Sequence, residues 1–295
     1  MKTVQMIYVL PNFEDLDQVI ESRPDAISFG LEGLSSRTRA LVSADQLDEW
    51  VSRFHEADIP VYLNAQAMVE ENRLEEVRSL FRRALDAGVD GFYVADDAYL
   101  SLADEESEIR QSDITSRIII QPETLICSGE DAHFFEQLGV QAISLSHELS
   151  IPEILEAAKT CSNLEVLVHG HTAWMESRRP LIQNYLNQIE KPEAFEENRL
   201  YFIRELQRNV PLPLWQDELG THVFSAIPTE AGEGIRAMAQ AGIHRFRLDA
   251  LFESQKEGLK ALEDYRALLK GEPVHREGNF MSEQTDIKKE KNHVR

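Results

Sequence analysis

Cysteine is scarce in this chain. Only Cys127 and Cys161 occur in 295 residues, without CxxC spacing and without a histidine close to either. The count excludes a disulfide framework or a cysteine-only cluster site, and both thiols are expected to be buried. Long apolar runs are also missing. Nothing approaches the roughly 18 consecutive apolar residues of a membrane span. The start, MKTVQMIYVLPNFEDL, holds an apolar run too short for a signal h-region with a cleavage site and reads as a first strand, so a cytoplasmic location is expected. Bases are outnumbered, 30 Lys+Arg against 52 Asp+Glu, for a net charge of −22. Such a surface repels nucleic acid and anionic membrane on average, so a nucleic-acid role needs a local basic patch or a partner that makes the contacts. No Gly-rich phosphate loop follows a strand, no Gly-x-Ser-x-Gly elbow occurs, and no HExxH is found.

What is present is a repeated phrase: a helical segment closes on a turn, and a short β-rich run follows. SRPDAISFGLE (22–32), EADIPVYLNAQ (56–66), DAGVDGFYVAD (86–96), QLGVQAISLSH (137–147) and QAGIHRFRLDA (240–250) all show it. Glycine at several of these turns suits a left-handed helix cap, and the runs suit strands buried on both faces. Eight strands are predicted, at 5–10, 25–31, 60–65, 91–95, 117–121, 142–146, 165–169 and 244–249. Helices are predicted at 13–22, 43–58, 72–88, 129–138, 150–161, 232–242 and 254–270. Strand–helix alternation implies a parallel sheet, and eight repeats imply an α/β protein of the (β/α)8 TIM-like barrel class, with a doubly wound open sheet as the alternative. The barrel domain is placed at 1–271. Residues 171–230 are too long for one repeat. With the helix-like RPLIQNYLNQIE and the strand-like YFIREL, PLPLWQD and THVFSAI, they read as a small β-rich insertion after strand seven. A polar tail at 272–295 is expected to be disordered.

Barrel enzymes work at the C-terminal ends of their strands. The polar residues expected there are Asn12, Glu32, Asn64, Gln66, Asp96, Asp97, Gln121, Glu123, His147, Glu148, His169, His171 and Asp249. A polar strand end is also simply where a chain leaves the core. His169 and Glu148, on neighbouring strands, could form an acid–base pair, with Asp249 as a third catalytic candidate. His169 and His171 share a strand face, and a metal would want a third ligand such as Glu148, Asp217 or His222. No ligand spacing supports that, and no metal is expected. The Ser177-Arg178-Arg179 run could bind a small anion in bidentate fashion, joined by Arg204, Arg208, Arg245 and Arg247. Surface ion pairing is the plain alternative.

LEVLVHG (164–170) followed by Ser177-Arg178-Arg179-Pro180-Leu181 resembles the signature of the collagenase-like peptidase family U32. There a strand runs into His-Gly and then a loop with two cysteines. ISLSHELSIPEI (143–154), PDAISFGLEGLSSRTRA (24–40), VYLNAQ, GVDGFYVADDAYL, QDELGTHVF and RFRLDALF resemble further blocks of that family, in order from about residue 5 to 265. The resemblance implies a barrel-like domain. From their strand ends, the arginine run and the matched blocks together, substrate-binding positions are expected at Glu32, Asn64, Asp96, Glu123, Ser146, Gly170, Ser177, Arg178, Arg179, Gly220, Thr221 and Arg247. The two loop cysteines correspond to Ala173 and Pro180, so no cofactor is expected in this chain, because a four-thiolate iron–sulfur cluster cannot form from it. The family's serine-arginine-glutamate is Ser146-His147-Glu148 here, and its glutamate-glycine-arginine is Asp249-Ala250-Leu251.

Members of that family carry out prephenate-dependent or oxygen-independent hydroxylations, and some work as unequal pairs. Short, cysteine-poor chains resemble the smaller partner of a longer cysteine-bearing paralogue linked to 5-hydroxyuridine in tRNA. The resemblance therefore implies a subunit of tRNA wobble-uridine hydroxylation, with prephenate as a possible substrate and tRNA reached through the complex. A peptidase (hydrolase) and a non-catalytic scaffold remain the alternatives.

Overall fold

The computed structural model describes residues 3–196, 199–204 and 210–279. They fall into two compact units, one comprising the chain up to Gly170 together with the segment from Thr229, the other comprising His171–Pro228.

The first unit is a closed parallel barrel. Its eight strands are Gln5–Val9, Ala26–Leu31, Val61–Ala65, Gly91–Val94, Ile118–Ile120, Ala142–Ser144, Leu164–Gly170 and Arg245–Asp249. Each pairs in parallel with the next, and the first pairs with both the second (Ile7 to Ala26) and the eighth (Ile7 to Arg247), which closes the ring. Two short strands extend it: Leu41–Val42 beside the second strand, and Thr229–Glu230 antiparallel to the seventh. All eight predicted strands are present, to within a few residues at their ends.

The helices between strands follow from capping and apolar stripes. Helix Leu47–His55 buries Leu47, Val51 and Phe54, which share one face at i, i+4 and i+7. Helix Gln255–Lys270 opens on a Ser254/Glu257 capping box and closes on left-handed Gly271. One helix, Ala98–Arg110, escaped the sequence reading. Its buried stripe is Tyr99, Leu102, Ala103 and Glu106, and a carboxylate in the fourth place hides the periodicity. Glu106 is buried because Arg82 and Arg110 both reach it.

Strand period sorts side chains into two cores. Outward residues such as Phe29, Phe92, Val166 and Phe246 pack beneath the helices. Inward residues Ile7, Ala26, Tyr62, Tyr93, Ile119 and Ala142 make a smaller interior cluster. The inward positions of the seventh and eighth strands add charge to it: Glu165 is fully buried, with Arg245 and Arg247 almost so. Tyr93 donates to Glu165 at 2.9 Å, Arg245 lies 3.2 Å from it and Arg247 3.6 Å.

The second unit is a four-stranded antiparallel sheet in the order Tyr201–Ile203, Leu212–Asp217, Gly220–Phe224, Ala173–Ser177, with helix Leu181–Gln188. The helix and three strands match the expected pieces of the insertion. The strand Ala173–Ser177 was not anticipated, because its apolar residues Trp174 and Met175 are adjacent rather than alternating and both are exposed.

The tail expected to be free from Glu272 is instead held at its start. Val274 packs on the core, the Asn279 N–H donates to the Glu230 carbonyl at 3.0 Å, and the Arg276 side chain reaches inward. Residues 280–295 lie outside the described residues. Cys161 is buried but Cys127 is exposed, on the loop after the fifth strand, which corrects the expectation of two buried thiols. Among the described residues no helix is long and apolar enough to cross a membrane.

Candidate functional site

The barrel brings a ring of polar side chains to the C-terminal ends of its strands. The loop after the second strand turns on Ser35, whose hydroxyl accepts from the Leu31 N–H at 2.7 Å and bonds the Asn64 carbonyl. Asn64 then donates to the Ser36 carbonyl (3.0 Å) and to Gln66 (2.9 Å). Gln66 passes the chain of bonds to the Gln121 carbonyl at 3.0 Å, and Gln121 donates to Glu123 at 2.8 Å. Asn64, Gln66 and Gln121 thus position the rim and hold Glu123.

Glu123 is the hub. Arg37 lies 3.9 Å from one carboxylate oxygen and His147 Nδ1 3.3 Å from the other. Burial pushes its carboxyl up, but the adjacent His147 and the charges of Arg37 and Arg247 outweigh that and hold it well below the usual carboxylate range. Arg37 (φ 58°) and Glu123 (φ 63°) both sit in the left-handed region, where residues with a Cβ are strained. Such strain persists only when the surroundings enforce it, and it clusters at functional sites. His147 is 5% exposed, and its Nε2 has no hydrogen-bond partner. A buried polar atom left unsatisfied costs free energy and is suited to receiving a ligand atom.

The eighth strand supplies the rest. Arg247 lies between Glu165 below and Asp249 above, 3.4 Å from the Asp249 carboxylate. Asp249 is pushed up to about 6, first by burial and then by Glu123 and Glu253, with Arg247 pulling the other way. A carboxyl titrating near neutrality can give and take a proton. The ring therefore offers two cations and an unpaired imidazole nitrogen beside one firmly ionised and one protonatable carboxyl.

The expected pairing of His169 with Glu148 is corrected. Glu148 is exposed, because Ser146 Oγ accepts its N–H at 3.2 Å and turns the chain outward there. The buried His147 takes the inward place. His169 stands instead between Glu230 at Nδ1 and Glu253 at Nε2, each 2.8 Å away. Burial alone would lower its pKa, but the two carboxylates raise it to about 9, while Glu230 is lowered to about 2 despite burial, by His169 and Arg276. Arg276 grips Glu230 through two 2.7 Å bonds, and its guanidinium lies over Tyr265 at 5.0 Å. Its Nη2 is also 2.8 Å from His169 Nδ1. Since Nδ1 gives its hydrogen to Glu230, this last contact is a neighbour rather than a bond. His169 thus holds Glu230 in place, and Glu230 fastens residues 276–279 through Arg276 and the Asn279 N–H. Glu230, Glu253, Tyr265 and Arg276 were missed because none stands at a predicted strand end: Glu253 lies in the loop after the eighth strand and Tyr265 inside the last helix. Arg37 could have been found only by its place in the loop after strand two, EGLSSRTRA.

Other expected residues are scattered. Asp96 accepts the Val69 and Ala98 N–H groups at 2.9 Å each and shapes a loop, while Glu32 and Asp97 are exposed and Asn12 bonds the Glu14 N–H. Gly170 has φ 135°, and a Cβ there would strike the Asp249 carbonyl, so the close approach of strands seven and eight requires glycine. Ser177, Arg178, Arg179, Arg204, Gly220 and Thr221 belong to the second unit, where Arg178, Arg179 and Arg204 are exposed. Thr221 Oγ1 donates to the Arg179 carbonyl at 2.9 Å. Arg208 lies outside the described residues. Arg245 is buried beneath the rim, held by Glu165.

His171 and His222 have partners of their own, the Ser225 carbonyl at 2.8 Å and Asp217 at 3.0 Å. Among the described residues no group of three His, Cys, Asp or Glu is arranged for a metal ion. Ala173 and Pro180 carry no ligand atom for iron, and the two thiols of the chain are too few for a four-thiolate cluster.

The family model for Peptidase family U32 matches residues 11–293. The chain belongs to that family. Among its relatives is the tRNA hydroxylation protein P2 of Bacillus subtilis (strain 168), 23% identical over 270 residues, covering 90% of this chain and 85% of the relative. The tRNA hydroxylation protein P of Helicobacter pylori (strain J99) is 24% identical over 238 residues, covering 77% of this chain but 54% of the relative, so the chain spans about half of that longer protein. The solved U32 peptidase Mk0906 superimposes with a TM-score of 0.52 at 17% identity, over 85% of this chain and 94% of that one, and shares the fold.

Proposed function

We propose that this chain is a component of a tRNA wobble-uridine hydroxylation system, the smaller member of a pair with a longer cysteine-bearing paralogue. The observation that carries the reading is the near full-length match to tRNA hydroxylation protein P2. The rim fits a helper chemistry. Arg37 and Arg247 suit the carboxylates of a small dianion such as prephenate, and His147 Nε2 suits a further oxygen. Asp249, near neutrality in its titration, is the group to move a proton. Any cluster chemistry falls to the partner, and the chain acts in the cytoplasm.

The test is deletion of the gene in a cell without a redundant relative, with mass spectrometry of wobble nucleosides. Loss of 5-hydroxyuridine, restored by the wild-type gene but not by Arg247→Met, is expected. Unchanged 5-hydroxyuridine would sink the proposal.

A further inference from the structure

The family match leaves one feature of the second unit unexplained. In a chain with 52 acids against 30 bases, residues 173–191 reverse the balance, with Arg178, Arg179 and Lys191 against Glu176 and Glu190. Helix Leu181–Gln188, LIQNYLNQ, contains no charged side chain, whereas every other α-helix described has at least one. The helix is anchored on one side only. Ile182 and Leu186 are buried, the Leu181 N–H donates to Thr221 Oγ1 at 2.9 Å, and the Ile182 N–H donates to Gln216 Oε1 at 3.0 Å. Its outer stripe at i, i+3, i+4 and i+7 is Leu181, Asn184, Tyr185 and Gln188, all exposed, with Tyr185 at 64%. Arg178 and Arg179 lead directly into that helix, and the strand before them shows Trp174 at 47% exposure.

We infer that this helix and the arginine pair before it form the surface that meets unpaired RNA. The inference rests on the tRNA reading above and adds where contact is made. Carboxylates are what phosphate avoids, and the outer stripe has none. Guanidinium groups hold phosphate oxygens, side-chain amides read base edges, and an exposed aromatic ring stacks on a splayed base. The same reasoning moves Arg178 and Arg179 from the small-anion role to phosphate binding. A protein-docking face is the competing occupant, but a stripe of amides beside an arginine pair fits a polyanion with exposed bases better.

The experiment uses the full chain, with any protein that co-purifies left in place. The probe is a synthetic RNA hairpin with an unpaired loop, compared with a fully paired duplex of equal length, by fluorescence anisotropy over a salt series. The hairpin should bind more tightly than the duplex. Replacing both Arg178 and Arg179 by Ala should weaken binding about 10-fold and flatten the slope of log affinity against log salt by roughly 1.4, two phosphates at about 0.7 each. Tyr185→Ala should weaken binding about 10-fold with the slope unchanged, and Tyr185→Phe should keep it. No RNA binding by the wild type, or variants that bind as the wild type does, would overturn the inference. So would variants that shed a co-purifying protein while keeping RNA affinity. If deletion leaves 5-hydroxyuridine intact yet these variants lose RNA binding, the hydroxylation reading fails and this surface stands. If the arginine variant fully restores 5-hydroxyuridine and binds RNA normally, only the surface fails.

Discussion

Replacing Glu165 by Gln keeps the side chain's shape and removes its charge. Glu165 is fully buried inside the barrel, with Arg245 at 3.2 Å, Arg247 at 3.6 Å and the Tyr93 hydroxyl at 2.9 Å. At an effective dielectric near 20, each charge pair at such distances attracts by about 5 kcal/mol before desolvation is counted. Removing one partner leaves the others buried and uncompensated, which costs about 3–5 kcal/mol. For a domain of this size each kcal/mol lowers Tm by about 2–4 °C, so Glu165→Gln should melt roughly 6–20 °C below the wild type by calorimetry or circular dichroism. Tyr93→Phe removes only one hydrogen bond to a charged group, about 1.5–3 kcal/mol, and should fall between the two. Joint replacement of Glu165 and Arg245 by Met should recover most of the loss, because it removes one member of each sign. The variant also loosens Arg247 from below, so wobble-uridine hydroxylation should drop even at a temperature where the protein stays folded. A Glu165→Gln loss under about 1 kcal/mol, or one no larger than that of Tyr93→Phe, would show that the interior is wetter than the burial implies and would refute the reasoning.

Two further outcomes follow from the titrating groups. His169 is raised from 6.5 to about 9 in the folded chain, so its contribution is fully present below about pH 6.5 and fades as pH rises through 9. The pKa difference corresponds to an order of 3 kcal/mol. Urea midpoints should therefore fall between pH 6.5 and 9.5 in the wild type, and that fall should be largely absent in His169→Gln, a parallel decline in both refuting the assignment. Asp249 is raised from 3.8 to about 6, the opposite case for a carboxyl, since ionising it costs the fold stability as pH climbs from 4 toward 6. Asp249→Asn should stabilise at pH 8 by on the order of 3 kcal/mol, with no gain at pH 4, while lowering activity. Equal melting at pH 8 would mean the carboxylate is better solvated than its neighbours suggest.

The barrel was legible because its signal is repetitive. Eight β-rich runs, each entering from a helical turn, can be counted without knowing a single contact. The site was legible only in part, and the reason is geometric. Strand-end positions such as Asn64, Gln121, Glu123, His147 and Asp249 follow from strand period, so the ring itself could be drawn. What no period encodes is which of two adjacent polar residues turns inward. His147 and Glu148 differ only by the turn that Ser146 Oγ fixes when it takes the Glu148 N–H, and the imidazole rather than the carboxylate ends up beside Glu123. The pairing of His169 with Glu148 fails because its partners are Glu230 and Glu253, both more than sixty positions away. The Glu230 contacts also explain why Glu272 onward looked like a loose end. Polar composition marks a segment as unable to build a core, but one arginine over Tyr265 and paired with Glu230 is enough to hold residues 272–279. In an acidic protein such a cation is informative when it is buried or when it adjoins a segment without carboxylates. Arg37 and Arg247 at the rim are largely buried, and the Arg178-Arg179 pair leads into a helix that carries no charged side chain. The same side chain thus marks both places where this chain has a reason to meet an anion.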